Sequence, residues 1–159
     1  MNPFTFVSEL EVQMLGRILL AFVLGAVLGW ERERTGRPAG LRTHMLVTAG
    51  SAAYTVVSIY GFLDLGTVRD PARVAAQIVT GVGFLGAGTI WRTPSAIRGL
   101  TTAASIWLAA AIGMFVGTGL YLLAVVTAIL GYVCLEWLKP PSRRGAGEPS
   151  ITGGTAEEE

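Results

Sequence analysis

From Gly99 to Leu135 the chain runs for 37 residues without a formally charged side chain. One straight helix of that length would reach about 55 Å, nearly twice the ~30 Å hydrocarbon core of a bilayer. The run must fold back on itself, and Gly117-Thr118-Gly119 is the natural turn. Composition points the same way. Soluble domains carry about 25% charged residues, whereas this chain of 159 residues has 14% charged, 52% hydrophobic and a mean hydropathy of +0.56. A soluble domain of this size would wear much of that apolar sequence on its surface.

Two further uncharged runs, Thr43–Leu63 (His44 taken as neutral) and Val74–Trp91, are each long enough to span. Ile18–Trp30 is too short by itself, so the first helix must start near Glu11 and carry Arg17 within the membrane or at its rim. The expectation is an all-α membrane protein, a bundle of five transmembrane helices over about 12–30, 43–62, 72–91, 99–116 and 119–138. Basic residues orient it, because short cytoplasmic loops collect them. Arg32, Arg34, Arg37 and Arg42, then Arg92 and Arg98, then Lys139, Arg143 and Arg144 fall on one face, nine of the 12. Arg69 and Arg73 fall on the other. The N-terminus is expected outside and the C-terminus in the cytoplasm. Glu9 and Glu11, where a cleaved leader would be basic, argue for an uncleaved first span. Residues 1–139 read as one membrane domain and 140–159, rich in Pro, Gly and Glu, as a disordered cytoplasmic tail.

Several function classes drop out. With 12 basic against 11 acidic residues, no nucleic-acid footprint is present. The single cysteine, Cys134, has no disulfide partner within the chain, and no Cys/His spacing suggests zinc. No catalytic constellation, cofactor motif or metal site is visible, so a non-enzymatic protein is expected. Gly81, Gly83 and Gly86 do spell G-x-G-x-x-G, but the next acid is Glu136 and the motif lies within a span, which excludes a dinucleotide loop. Small residues there allow close helix packing in lipid. Gly25 and Gly29 continue a four-residue spacing from Ala21, and Gly113 and Gly117 end one that runs from Thr101 through Ser105 and Ala109. Spans one, three and four are therefore expected at the tight centre.

Charges inside a span cost about 2.5–3.5 kcal/mol each on insertion scales, so they are functional candidates. An outer cluster comprises Arg17, Asp70, Arg73 and Gln77, the last three on one helical face. It could serve a cation or a partner, or Asp70-Pro71 could simply cap a helix and pair with an arginine. A cytoplasmic cluster comprises Glu31, Glu33, Arg42, His44 and Arg98, with Arg32, Arg34, Arg37 and Arg92 nearby. These charges could merely anchor helices, the acids neutralising their basic neighbours. Asp70 and Glu31 are expected at opposite mouths, about 30 Å apart, and so cannot share one ion.

The blocks Trp30-Glu31-Arg32-Glu33 with Arg37-Pro38-Ala39-Gly40-Leu41-Arg42-Thr43-His44, Asp70-Pro71-Ala72-Arg73 through Gln77 to Gly88, and Arg98-Gly99-Leu100-Thr101-Thr102 through Trp107 to Gly113 resemble the MgtC/SapB family of bacterial inner-membrane proteins. The likeness covers about residues 15–138. It implies a five-span protein of the bacterial inner membrane, linked to adaptation to low magnesium and, in pathogens, to survival in macrophages. It also implies a regulator more than a carrier, with the F-type ATP synthase or small membrane peptides as partners, or a second copy of itself. Glu31, Arg42, Asp70, Arg73, Gln77 and Arg98 match the family's polar motif positions. Founding members continue into a cytoplasmic α+β domain, where this sequence has only the short segment after Lys139-Pro140. Two readings follow: a regulator acting through helix contacts, or a transporter of magnesium or another solute guarded by Asp70 and Arg73.

Overall fold

The computed structural model describes residues 8–61 and 70–138. Five helices account for most of them: α1 (Glu9–Arg34), α2 (Leu41–Tyr60), α3 (Pro71–Ala87), α4 (Leu100–Thr118) and α5 (Tyr121–Trp137). The expected tail, with Lys139, Arg143 and Arg144, and the segment holding Arg69 lie outside the described residues. By length and apolar composition α1 and α4 are each able to cross a bilayer, and residues 72–87 of α3 and all of α5 are shorter apolar helices.

Local chemistry explains the boundaries. Ser8 and Glu11 form a reciprocal capping box that starts α1. The helix then runs through Glu31, Arg32, Glu33 and Arg34, which the charge pattern had assigned to a loop. It stops at Gly36, whose φ of 65° lets the Arg37 amide reach back to the Arg32 carbonyl at 3.0 Å. The Glu33 carboxylate accepts from the Leu41 amide at 2.9 Å, so α1 itself caps α2. Asp70 caps α3 by accepting from Ala72 at 3.0 Å, with Pro71 in the first turn. The long uncharged run does fold back: α4 ends on Gly119, left-handed at φ 87°, and α5 follows.

Two expectations need correction. The third span was drawn to residue 91, but α3 ends at Ala87, and a short hairpin follows, β1 (Trp91–Thr93) against β2 (Ala96–Arg98). Three-residue strands around Thr93-Pro94-Ser95-Ala96 are too short to show a period-2 pattern. The centre of the bundle is also different. It is made by α1, α2 and α4, with α3 packed more lightly on α2 and α4. Around Ala52 of α2, residues Ala21, Leu24 and Leu28 of α1 pack with Ala109, Ile112 and Val116 of α4, all buried.

The glycines show how this centre closes. A methyl group at Gly25 would meet the His44 carbonyl and the Thr48 hydroxyl at 2.7 and 2.8 Å, and one at Gly29 would meet Leu41 Cα at 2.6 Å. At Gly113 it would run into the Thr48 carbonyl, and at Gly117 it would lie 2.6 Å from Thr55 Cβ. All four press on α2. By contrast, Gly81 and Gly83 of α3 look onto open space, and Gly86 makes only ordinary contact with Ala103.

Candidate functional site

The helices bring the polar residues together at two ends, and only one end is buried. At the first, α1 finishes beside the start of α4. The Arg32 side chain, 4% exposed, donates from Nη2 to the Thr102 hydroxyl at 2.7 Å and faces the Glu31 carboxylate at 3.8 Å. The Arg32 Nε has no hydrogen-bond partner among the described residues.

One turn into α2, His44 is fully buried. Its Nδ1 lies 2.9 Å from the Gly40 carbonyl, which can only accept, so the proton sits on Nδ1. Its Nε2 lies 3.1 Å from the Ser105 hydroxyl, which also lies 2.8 Å from the Thr102 carbonyl. Ser105 has one proton to give. With a neutral imidazole that proton serves Nε2; with a charged one Nε2 donates and the proton serves Thr102. The network thus runs Glu31, Arg32, Thr102, Ser105 and His44 across three helices. Beside it lies a cavity of about 350 Å³, walled by Glu31, Arg32, Arg37 and Thr102 on its polar side.

Of the expected cytoplasmic cluster, Glu31 and His44 belong to this network. Glu33 acts as the cap of α2, and Arg42 and Arg98 are exposed at the surface, outside the network. Arg32 belongs to the charged group expected at this end, whereas Thr102 and Ser105 are not among the expected site residues. The sequence held a signal for two of these residues: Arg32 lies three positions beyond Gly29, on the helix face that carries Ala21 and Gly25, and Ser105 lies on the small-residue ridge of α4.

The outer cluster separates. Arg17 donates to the Gly117 carbonyl at 2.8 Å, to the Tyr60 hydroxyl at 3.2 Å and to the Tyr121 hydroxyl at 3.1 Å. It supplies a cation to the last turn of α4, which has none of its own. Asp70 pairs instead with Arg73 at 3.9 Å on α3, both exposed. Gln77 stands apart, on the wall of an apolar groove of about 540 Å³ between α2 and α3. Among the described residues, no three of His, Cys, Asp and Glu gather as a metal-holding group.

A helical bundle with an apolar exterior, polar and small residues at its centre and arginines gathered at one end defines the class. The comparisons give the family. A family model described as MgtC family matches residues 18–144, and the chain belongs to that family. It is 45% identical over 131 residues to "Putative magnesium transporter YhiD" of Escherichia coli K12, covering 80% of this chain and 61% of that protein. It is 42% identical over 138 residues to "Protein MgtC" of Brucella abortus strain 2308, covering 82% of this chain and 56% of that one. An uncharacterized protein of Haemophilus influenzae is 36% identical over 157 residues, covering 91% and 66%. The matched region thus spans little more than half to two thirds of these relatives. No solved structure matches the chain.

Proposed function

We propose that this chain is a five-span protein of the bacterial inner membrane that serves adaptation to low magnesium as a non-enzymatic regulator. It acts through helix contacts with a membrane complex, of which the F-type ATP synthase is the leading example, or with a small membrane peptide or a second copy. Support for the membrane comes from the exterior, where Phe84, Leu122, Leu130 and Trp137 are among many large apolar side chains left exposed. Support for the orientation comes from Arg34, Arg37, Arg92 and Arg98, which belong to the end where α1 meets α4, the expected cytoplasmic face.

The observation that carries the regulatory reading is the sealed centre. Between the buried polar network and the Arg17 end, the α1–α2–α4 interface is filled by Ala21, Leu24, Ala52, Ile112 and Val116 and closed by backbone contact at Gly25 and Gly113. A hydrated ion needs a water-filled path, and the close packing of those helices argues against one, the Thr48 and Thr55 hydroxyls there bonding back to α2 carbonyls. A second reading, transport of magnesium or another solute, draws on the name of the Escherichia coli relative and on the exposed Asp70 and Arg73.

Magnesium uptake into liposomes containing the purified, folded protein tests the choice, with an indicator inside and Asp70→Asn as control. The regulator predicts no uptake above empty liposomes. Saturable uptake that is lost in the variant would replace it with the transporter.

A further inference from the structure

The cavity at the start of α4 has a use that neither reading requires. Its polar wall joins three sources of positive potential. Arg32 is buried, its Nε without a hydrogen-bond partner among the described residues, and Arg37 reaches the same cavity from the loop after α1. The third is the N-terminus of α4, a helix of 19 residues that starts on left-handed Gly99 with no side-chain cap. Its first-turn amides and the helix dipole favour an anion. Gly99 is what lets the wall form: a methyl there would run into the Thr89 carbonyl. The Glu31 carboxylate offsets one guanidinium, which leaves the second guanidinium and the helix terminus uncompensated. The remaining wall, Thr101 apart, is mostly apolar and leads outward past Leu100 and Leu138, both exposed.

We propose that this cavity binds a phosphate oxyanion between Arg32, Arg37 and the first turn of α4. Its height at the arginine-rich end suits the phosphate of an anionic lipid, whose chains would lie along Leu100 and Leu138. Free inorganic phosphate offers the same oxygens without the chains.

The test uses the full chain purified in a mild detergent. Native mass spectrometry reads retention of phosphatidylglycerol against phosphatidylcholine of matched chains, and phosphorus NMR follows inorganic phosphate titrated alone. Thr101→Glu puts a carboxylate on the exposed first turn of α4, a position where the helix dipole favours an acid and the fold is kept. The proposal predicts preferential retention of phosphatidylglycerol, lowered about tenfold by Arg37→Gln, the loss expected for one charge-assisted hydrogen bond, and at least as much by Thr101→Glu, whose carboxylate repels the anion. Broadening of the phosphate signal by wild type and not by Thr101→Glu, without lipid preference, would identify the free anion as the ligand. Equal retention of both lipids with no phosphate broadening would overturn the proposal, as would lipid or phosphate binding that both variants leave unchanged.

Discussion

Helices α2 and α3 make an instructive pair. Beyond its first two turns α3 is apolar except for Thr80, while α2 carries His44, Thr48, Ser51, Thr55 and Ser58 along its length. In a soluble protein the apolar helix would take the centre. Here the order is reversed: those five polar residues of α2 are all buried, and most of α3 is exposed. Lipid solvates apolar side chains as well as a protein core does, so nothing drives α3 inward. Close backbone approach and hydrogen bonding draw α2 to the middle. Thr48 and Thr55 return their hydroxyls to carbonyls one turn back, at 2.8 and 2.7 Å, so they cross the centre with their donors satisfied.

The sharpest way to break this contrast is to add bulk on each side of it. Gly113→Leu drives a side chain into the Thr48 carbonyl and Ser51, and should cost about 3 kcal/mol or prevent folding altogether. Loss of the monodisperse peak in size-exclusion chromatography would report it. A smaller loss is expected at the buried network. His44→Leu removes two buried side-chain hydrogen bonds, to the Ser105 hydroxyl and the Gly40 carbonyl, and should cost about 2 kcal/mol in denaturant titration. Ser105→Ala combined with it should cost less than the sum of the two single changes. Arg17→Gln removes a cation from the end of α4 and should cost about 1 kcal/mol, read as a lower melting temperature. Asp70→Asn should stay within about 0.5 kcal/mol, because Asn caps as well as Asp and the exposed pair with Arg73 contributes little. Smallest of all is Gly83→Ala, which meets open space and should be neutral or slightly stabilising in the same melt.

Much of this was legible in the sequence. The uncharged runs locate five helices, Gly119 marks the fold-back, and Asp70-Pro71 reads correctly as a cap. The four-residue spacings of α1 and α4 identify faces that do pack closely. What the spacing could not say is against which helix they pack. Gly81, Gly83 and Gly86 carry the same signal as Gly113, and only the tertiary arrangement separates a seam from an open face. The outer cluster failed for a related reason. Helical periodicity places Asp70 and Arg73 together on α3, but it holds no information on how α3 lies relative to Arg17. Arg32 was masked by its neighbours, since four charged residues in succession look like a solvated loop, and the rotation of α1 alone decides which of them turns inward.

The central claim is that the α1–α2–α4 centre is closed to water while the start of α3 is open. Thiol labelling tests it most directly, with Cys134→Ser as background and Ser105→Cys and Asp70→Cys compared under a small hydrophilic maleimide supplied to both faces of the membrane. The account predicts prompt modification of Asp70→Cys, and modification of Ser105→Cys only after denaturation. Comparable rates at both positions in the folded protein would contradict it, because water would then enter the α1–α2–α4 centre past the buried network.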